Sequence, residues 1–175
     1  MGETHCRGIV AEGGKVVISD VLDTEGQALA DELGDNAVYT HLDVTKEDDW
    51  NSAVKLAVDT FGGLNVLINN AGIVNFGTLD SYTASKFGLR GITKSVAMEL
   101  GSQGVRVNSV HPGGIRTPMT DGLGLDSPGT PINRIGEPEE VTKLVLFLAS
   151  DDASFSTGSE FIIDGGTLAG EGAVG

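Results

Sequence analysis

Hydrophobic residues occur along the chain in two patterns that alternate with each other. The order of these patterns predicts the order of strands and helices. Short continuous apolar runs, such as Val16-Val17-Ile18, are typical of strands buried on both faces of a parallel sheet. Longer segments in which apolar residues return every three or four positions are typical of amphipathic helices. The predicted strands cover residues 15–20, 37–44, 65–69, 105–110 and 161–164. The predicted helices cover residues 1–13, 24–33, 45–61, 82–100 and 138–148.

This order predicts a single α/β domain over residues 1–175, a Rossmann-like doubly wound parallel sheet with helices on both faces. Pro138 stands at a first helical position, where its missing N–H is tolerated. Thr45 and Asp48 resemble a capping box that opens the helix 45–61. Residues 119–136 are rich in Gly and Pro, so we expect them to form a loop over a substrate pocket.

The composition of the chain limits which partners we expect it to bind and in which cellular compartment we expect it. With 39% hydrophobic residues among 175, the chain can bury a core. Its 25 acidic and 11 basic residues give a formal charge of −14, which repels nucleic acid and anionic membranes. Cys6 is the only cysteine, which excludes an internal disulfide and a cysteine-based zinc site. We therefore expect a cytoplasmic protein with no nucleic-acid, membrane or metal partner.

A tyrosine and a lysine stand four residues apart near the start of the fourth predicted helix. In the sequence Ser81-Tyr82-Thr83-Ala84-Ser85-Lys86, the helical spacing puts Tyr82 and Lys86 on one face. The lysine charge would favour the phenolate and lower the Tyr82 pKa, so this tyrosine could act as a general acid or base near neutral pH. The same spacing also occurs on ordinary solvated helix faces, so the pair needs support from its context.

Asp20 closes the first predicted strand at its carboxyl end. In open α/β sheets ligands lie outside these ends, and an acid there can accept hydrogen bonds from an adenosine ribose. A carboxylate at this point would favour NAD over NADP, because the 2′-phosphate of NADP would meet a like charge. The alternative is that Asp20 only caps a turn.

Five short motifs in this order resemble those of the short-chain dehydrogenases/reductases. The motifs are Val17-Ile18-Ser19-Asp20, Leu42-Asp43-Val44, Asn69-Asn70-Ala71-Gly72, Tyr82-Thr83-Ala84-Ser85-Lys86 and Pro112-Gly113-Gly114-Ile115-Arg116-Thr117. The resemblance is greatest to bacterial hydroxysteroid dehydrogenases of the 3α/20β type. It covers nearly the whole chain.

The resemblance implies an oxidoreductase that transfers a hydride between NAD(H) and a secondary alcohol or ketone, with a hydroxysteroid or a similar apolar substrate. It implies that Tyr82 is the catalytic acid/base and that Lys86 supports it and holds the nicotinamide ribose. It further implies a homotetramer. The implied cofactor-binding residues are Gly2, Asp20, Asp43, Val44, Asn70, Ala71, Gly72, Tyr82, Lys86, Pro112, Gly113, Ile115 and Thr117.

The chain departs from the family pattern in two places. It lacks the first strand with its glycine-rich phosphate turn, of which only Gly2 can be the last glycine. It also lacks the segment between residues 69 and 82 that carries a helix, a strand and the catalytic serine in the family. Both missing strands are central in the family's sheet. Either the functional molecule contains these segments and the sequence is an incomplete account of it, or the deletions are real and the product binds nucleotide weakly or not at all.

A second hypothesis belongs to a different functional class. The protein could be a catalytically inactive scaffold or regulatory module that keeps the family's assembly surface, because the predicted helix 82–100 carries an apolar stripe. Oligomers without protection by NADH would support this hypothesis.

Overall fold

The structure is a computed structural model that describes residues 1–70, 79–118, 120 and 130–169. Residues 79–87 are described as helical backbone only. The chain divides into two compact units, Met1–Gly72 and Ile73–Gly175. Each unit combines helices with a pair of parallel strands, as the α/β pattern predicts.

Residues 1–70 of the first unit form three helices and one pair of strands. In chain order they are α1 (Gly2–Ala11), β1 (Val16–Asp20), α2 (Asp23–Leu33), β2 (Ala37–His41) and α3 (Glu47–Phe61). A 3-10 turn, Gly34–Asn36, joins α2 to β2. The strands are parallel, with Val16 opposite Ala37 and Asp20 opposite His41. Both strands therefore end at the same edge of the sheet.

The core of the first unit lies between α2 and the two strands. Ile18, Ala30 and Ala37 are buried there, and the partly buried hydrophobic residues packed against them are Cys6, Val16, Leu29, Leu33 and Tyr39. Burial raises the pKa of the Cys6 thiol, which keeps this cysteine in its neutral, unreactive form. Cys6 is therefore a packing residue.

Residues 65–69 are not a strand, and this prediction from the apolar run is wrong. Leu64, Val66 and Leu67 are exposed, at 48%, 43% and 59% of their surface. An extended segment becomes a strand only by exchanging hydrogen bonds with a neighbour. Within residues 1–70, the only ladder is the one between β1 and β2.

The predicted capping box at the start of α3 is also wrong. The helix begins at Glu47, and its N-cap, Lys46, makes no side-chain hydrogen bond to it. The Thr45 hydroxyl instead donates to Asp43 Oδ1 at 2.8 Å, and the Thr45 N–H donates to the same oxygen at 3.0 Å. The aspartate thus caps a turn before the helix, because a short carboxylate reaches its own backbone two residues further on.

The described residues of the second unit form two helices and the other strand pair. In chain order they are α4 (Leu79–Leu100), β3 (Ser109–Pro112), α5 (Pro138–Ala149) and β4 (Glu160–Ile163). Three 3-10 turns cover Gly101–Gln103, Asp151–Ala153 and Thr167–Ala169. The strands are parallel, with Ser109 opposite Glu160 and Pro112 opposite Ile163.

The strand predicted over residues 105–110 begins four residues late. The backbone before it is bonded to the loop that precedes β4 instead of to a ladder. The Val107 N–H donates to Thr157 Oγ1 at 3.1 Å, and Asn108 Nδ2 donates to the Ser156 carbonyl at 2.7 Å. Hydrogen bonds to the Thr157 hydroxyl and from the Asn108 side chain therefore replace the first part of the expected ladder.

None of the described helices is long and apolar enough to cross a membrane.

Candidate active site

Helix α4 contains the tyrosine and the lysine that carry the predicted chemistry. The helix begins at Leu79, so Tyr82 is its fourth residue and the sequence from Ser81 to Lys86 lies near its start, as predicted. Tyr82 and Lys86 are four positions apart in this helix, as predicted, and their side chains lie outside the described part of the structure.

Asp20 ends β1 and holds the turn that follows. Its Oδ1 accepts the N–H groups of Val21 at 2.7 Å and Leu22 at 3.1 Å. Within the described residues its other oxygen, Oδ2, accepts no hydrogen bond. The side chain is exposed. Asp20 therefore caps a turn with one oxygen and keeps the second available, so the turn and the ribose roles are compatible.

Asp43 and Val44 follow β2 at the same edge of the first sheet. Hydrogen bonds from Thr45, first from its N–H and then from its hydroxyl, lower the pKa of the Asp43 carboxyl. The Asp43 N–H donates to Asp49 Oδ2 at 2.9 Å, and the Val44 carbonyl accepts the Trp50 indole N–H at 3.1 Å. The α3 residues Asp49 and Trp50 thus fix both predicted adenine-flanking residues.

Gly2 and Asn70 meet in the first unit. A Cβ at Gly2 would lie 3.1 Å from the Asn70 side-chain nitrogen, so this glycine leaves room for the amide. The Asn70 N–H donates to the Ile68 carbonyl at 3.1 Å. Two predicted cofactor-binding residues from distant parts of the sequence are therefore adjacent. Ala71 and Gly72 lie outside the described residues.

Pro112 and Gly113 lead out of β3 against the end of β4. The Gly113 N–H donates to the Ile163 carbonyl at 2.9 Å. A Cβ at Gly113 would lie 2.7 Å from Asp164 Cα, which is closer than real contacts allow. Position 113 therefore requires glycine, because the backbones of residues 113 and 164 lie too close together for a side chain. This requirement does not depend on what the turn binds.

Ile115 and Thr117 are held by residues that the sequence patterns did not indicate. Ile115 is 5% exposed and forms a β-bridge with Gly136. The Thr120 hydroxyl donates to the Ile115 carbonyl at 2.7 Å and accepts the Thr117 N–H at 2.9 Å. Within the described residues, the Ile115 N–H donates no hydrogen bond. This N–H is a suitable donor for a carboxamide oxygen.

A cluster of three polar side chains at the edge of the first sheet was missed by the sequence patterns. Asp23 Oδ1 accepts the Tyr39 hydroxyl at 2.6 Å and pairs with His41 Nδ1 at 2.7 Å. The hydrogen bonds from Tyr39 and then from His41 lower the pKa of the Asp23 carboxyl. The hydrogen bond to Asp23 raises the pKa of His41. The sequence gives no direct sign of the cluster, because Asp23 and Tyr39 are 16 residues apart.

In the first unit, the available carboxylate oxygen of Asp20 suits the ribose hydroxyls of a nucleotide. Among the described residues no group of three metal-ligating side chains occurs.

Comparisons with known proteins agree on one family. Residues 1–81 match the family model described as short chain dehydrogenase, and residues 74–167 match the one described as Enoyl-(Acyl carrier protein) reductase. A 3-alpha-(or 20-beta)-hydroxysteroid dehydrogenase of Mycobacterium tuberculosis is 44% identical over 97% of this chain and 86% of its own length. A trans-4-hydroxycyclohexanecarboxylate dehydrogenase of Sinomonas cyclohexanicum is 36% identical over 97% of this chain and 89% of its own.

A solved structure supports the fold over nearly the whole chain. The crystal structure titled short-chain dehydrogenase/reductase, glucose/ribitol dehydrogenase, from Brucella melitensis has a TM-score of 0.83 and 27% identity. The match covers 93% of this chain and 91% of that one. The fold is therefore of the Rossmann-like α/β type.

The alignment with the mycobacterial relative also places a gap inside this sequence. It extends over 223 residues, whereas this chain has 175, so at least 48 aligned positions (223 − 175) have no residue here. The two family models meet at residues 74–81, within the interval where a segment is missing from the family pattern. With 44% identity to a named dehydrogenase over almost its full length, the chain belongs to the short-chain dehydrogenase/reductase family of oxidoreductases, which use nicotinamide cofactors.

Proposed function

We propose that this protein is an NAD(H)-dependent dehydrogenase of cyclic secondary alcohols, with a hydroxysteroid or a similar apolar alcohol as substrate. The observation that carries the proposal is the position of Tyr82 and Lys86 four residues apart in α4. Relatives named for a hydroxysteroid, a hydroxycyclohexanecarboxylate and cyclohexanol support a cyclic alcohol as the substrate class.

Tyr82 is the proposed acid/base. Its phenol donates a proton to the carbonyl oxygen in the reducing direction, and its phenolate accepts the alcohol proton in the oxidising direction. The Lys86 ammonium favours the phenolate through its charge. The bound nicotinamide supplies or accepts the hydride.

The preference for NAD over NADP is proposed from the first sheet. Asp20 Oδ2 accepts the adenosine ribose hydroxyls, and its charge repels a 2′-phosphate. Asp43 and Val44 flank the adenine, while Gly2, Asn70, Ala71 and Gly72 line the cofactor. At the nicotinamide end, Pro112 and Gly113 shape the turn that presents Ile115 and Thr117 to the carboxamide.

The test measures NADH formation with a panel of hydroxysteroids and cyclohexanols. In Tyr82→Phe we expect kcat to fall by about 10²–10⁴-fold, the range attributed to a positioned acid or base. Met98→Leu, a change at an exposed position of the same helix outside the motif, is the control and should keep near wild-type kcat. No turnover by the wild type, or full turnover by Tyr82→Phe, would contradict the proposal.

We also propose a homotetramer, by analogy with the family. Light scattering of the purified protein measures the particle mass, and a monomer in the presence of NADH would contradict this assembly.

A further inference from the structure

The turn between β1 and α2 is held from two sides. On one side Asp20 Oδ1 accepts the two N–H groups of the turn itself. On the other side Asp23, the first residue of α2, is bonded to Tyr39 and His41 of β2. Residues two apart on a strand project from the same face, which explains how Tyr39 and His41 reach one carboxylate oxygen.

The Tyr39 hydroxyl, on β2, contacts both the end of β1 and the first residue of α2. Its single proton has two acceptors within reach, Asp23 Oδ1 at 2.6 Å and the Asp20 carbonyl at 2.8 Å. The carboxylate is the stronger acceptor because it is charged. The Asp20 carbonyl also accepts the Leu42 N–H at 3.0 Å. The end of β1 is thereby tied to β2 and to the first turn of α2.

Gly26 provides an independent sign that the position of this tyrosine matters. A Cβ at Gly26 would lie 2.2 Å from Cε2 and 2.5 Å from Cδ2 of the Tyr39 ring, so any side chain would displace the ring. Gly26 is buried and is the fourth residue of α2, and glycine within a helix is unfavourable by roughly 1 kcal/mol relative to alanine. Glycine, a poor helix former, therefore stands at the helix position against which the Tyr39 ring packs.

We propose that Asp23, Tyr39 and His41 are positioning residues for adenosine-ribose binding, which hold the β1–α2 turn so that Asp20 Oδ2 stays available to the ribose hydroxyls. This inference rests on the proposed function, because it requires a nucleotide at the edge of the first sheet. It adds that the affinity for the adenosine half depends on side chains that do not touch the nucleotide.

Calorimetric titration with ADP-ribose tests this inference without relying on turnover. Tyr39→Phe removes only the hydroxyl and keeps the ring on Gly26, and Asp23→Ala removes the shared acceptor. We expect each variant to bind ADP-ribose about tenfold more weakly than the wild type. Asp23→Asn keeps an oxygen acceptor at the same position and should recover part of the lost affinity.

Two controls separate positioning from charge and from general loosening of the fold. Glu25→Gln removes one negative charge from the same first turn of α2 and should change the affinity for ADP-ribose less than twofold. Nicotinamide mononucleotide lacks the adenosine half, and all variants should bind it as the wild type does. Thermal unfolding identifies variants that do not fold, and His41→Gln, at an exposed position, then replaces them.

The outcomes distinguish the two proposals. If wild type binds ADP-ribose and the folded Tyr39→Phe and Asp23→Ala variants bind it equally well, the positioning role is overturned and the proposed function stands. Equal weakening of both ligands would also overturn it, because the effect would then be structural. If wild type does not bind ADP-ribose, the proposed nucleotide site itself fails.

Discussion

His41 and Asp23 form an exposed pair whose two pKa values move in opposite directions. The hydrogen bond to Asp23 raises the pKa of His41 above its ordinary 6.5, and the bonds from Tyr39 and His41 lower that of Asp23 below 3.8. The raised histidine contributes stability that is fully present below pH 6.5 and is lost as pH rises through the folded pKa. The lowered aspartate contributes stability that is present above pH 3.8 and is lost as pH falls through the folded pKa.

The histidine shift can be measured directly by NMR titration of the imidazole resonances. In Asp23→Asn we expect the pKa of His41 to fall back towards 6.5, because the variant removes the negative charge that favours the imidazolium. An unchanged His41 pKa in the variant would contradict the pairing.

At Gly113, in the second unit, a single added methyl group should destabilise the fold. Gly113→Ala would place a carbon within 2.7–3.0 Å of the Asp164 backbone, which cannot move as a flexible side chain can. We expect a loss of about 1–3 kcal/mol in the free energy of unfolding, the usual range for overpacking. Denaturant unfolding provides the measurement.

The matched variant for this test is Gly91→Ala in α4. A Cβ at Gly91 would meet nothing within 4 Å, and alanine is the better helix former. This variant should gain roughly 0.5–1 kcal/mol. Similar effects of the two substitutions would show that backbone contact is not the reason for glycine at position 113.

At the scale of the residue, the sequence predicts the position of a single residue better than the contacts between residues. The place of Asp20 at the end of β1 follows from an apolar run closed by an acid, and the structure agrees. The Asp23, Tyr39 and His41 cluster does not follow from any period, because its members meet only after β1 and β2 pair. Thr120, which holds Ile115 and Thr117, was missed because it lies in a segment predicted only as a loop.

At the scale of elements, the hydrophobic pattern of residues 65–69 predicts a strand, but these residues form no strand hydrogen bonds with the other described residues. The apolar run is real, and it predicts a buried strand by every local criterion. A strand also needs a neighbour, and that condition depends on segments elsewhere in the sequence. The helices were predicted more accurately than the strands, since a helix satisfies its hydrogen bonds within one segment.

Two side-chain truncations, Leu67→Ala and Ile18→Ala, test whether the Leu67 side chain is exposed. In protein made from this sequence, Leu67→Ala should change the free energy of unfolding by no more than about 0.5 kcal/mol, as expected for an exposed side chain. Ile18→Ala, at a position 7% exposed in the same unit, should lose about 2–5 kcal/mol. A loss of 2 kcal/mol or more in Leu67→Ala would show that another copy or segment covers residues 65–69.

At the scale of the whole molecule, the described sheets contain only two strands each. An isolated pair of strands is at best marginally stable in water, and sheets of this class are normally larger. The relatives have at least 48 further aligned positions inside the matched region. The named relatives are dehydrogenases, which favours an enzyme over a scaffold and makes the missing segments more consequential.

The mass of the intact protein decides whether the segments are absent from the molecule. The sequence accounts for 18.1 kDa over 175 residues, and 48 more residues of the same mean mass would add about 5 kDa. Because strands without neighbours leave backbone groups unpaired at roughly 1–3 kcal/mol each, we expect protein from its native source to exceed 18.1 kDa by at least this amount. Protein made from this sequence is the reference, and a native mass equal to it would show that the deletions are real.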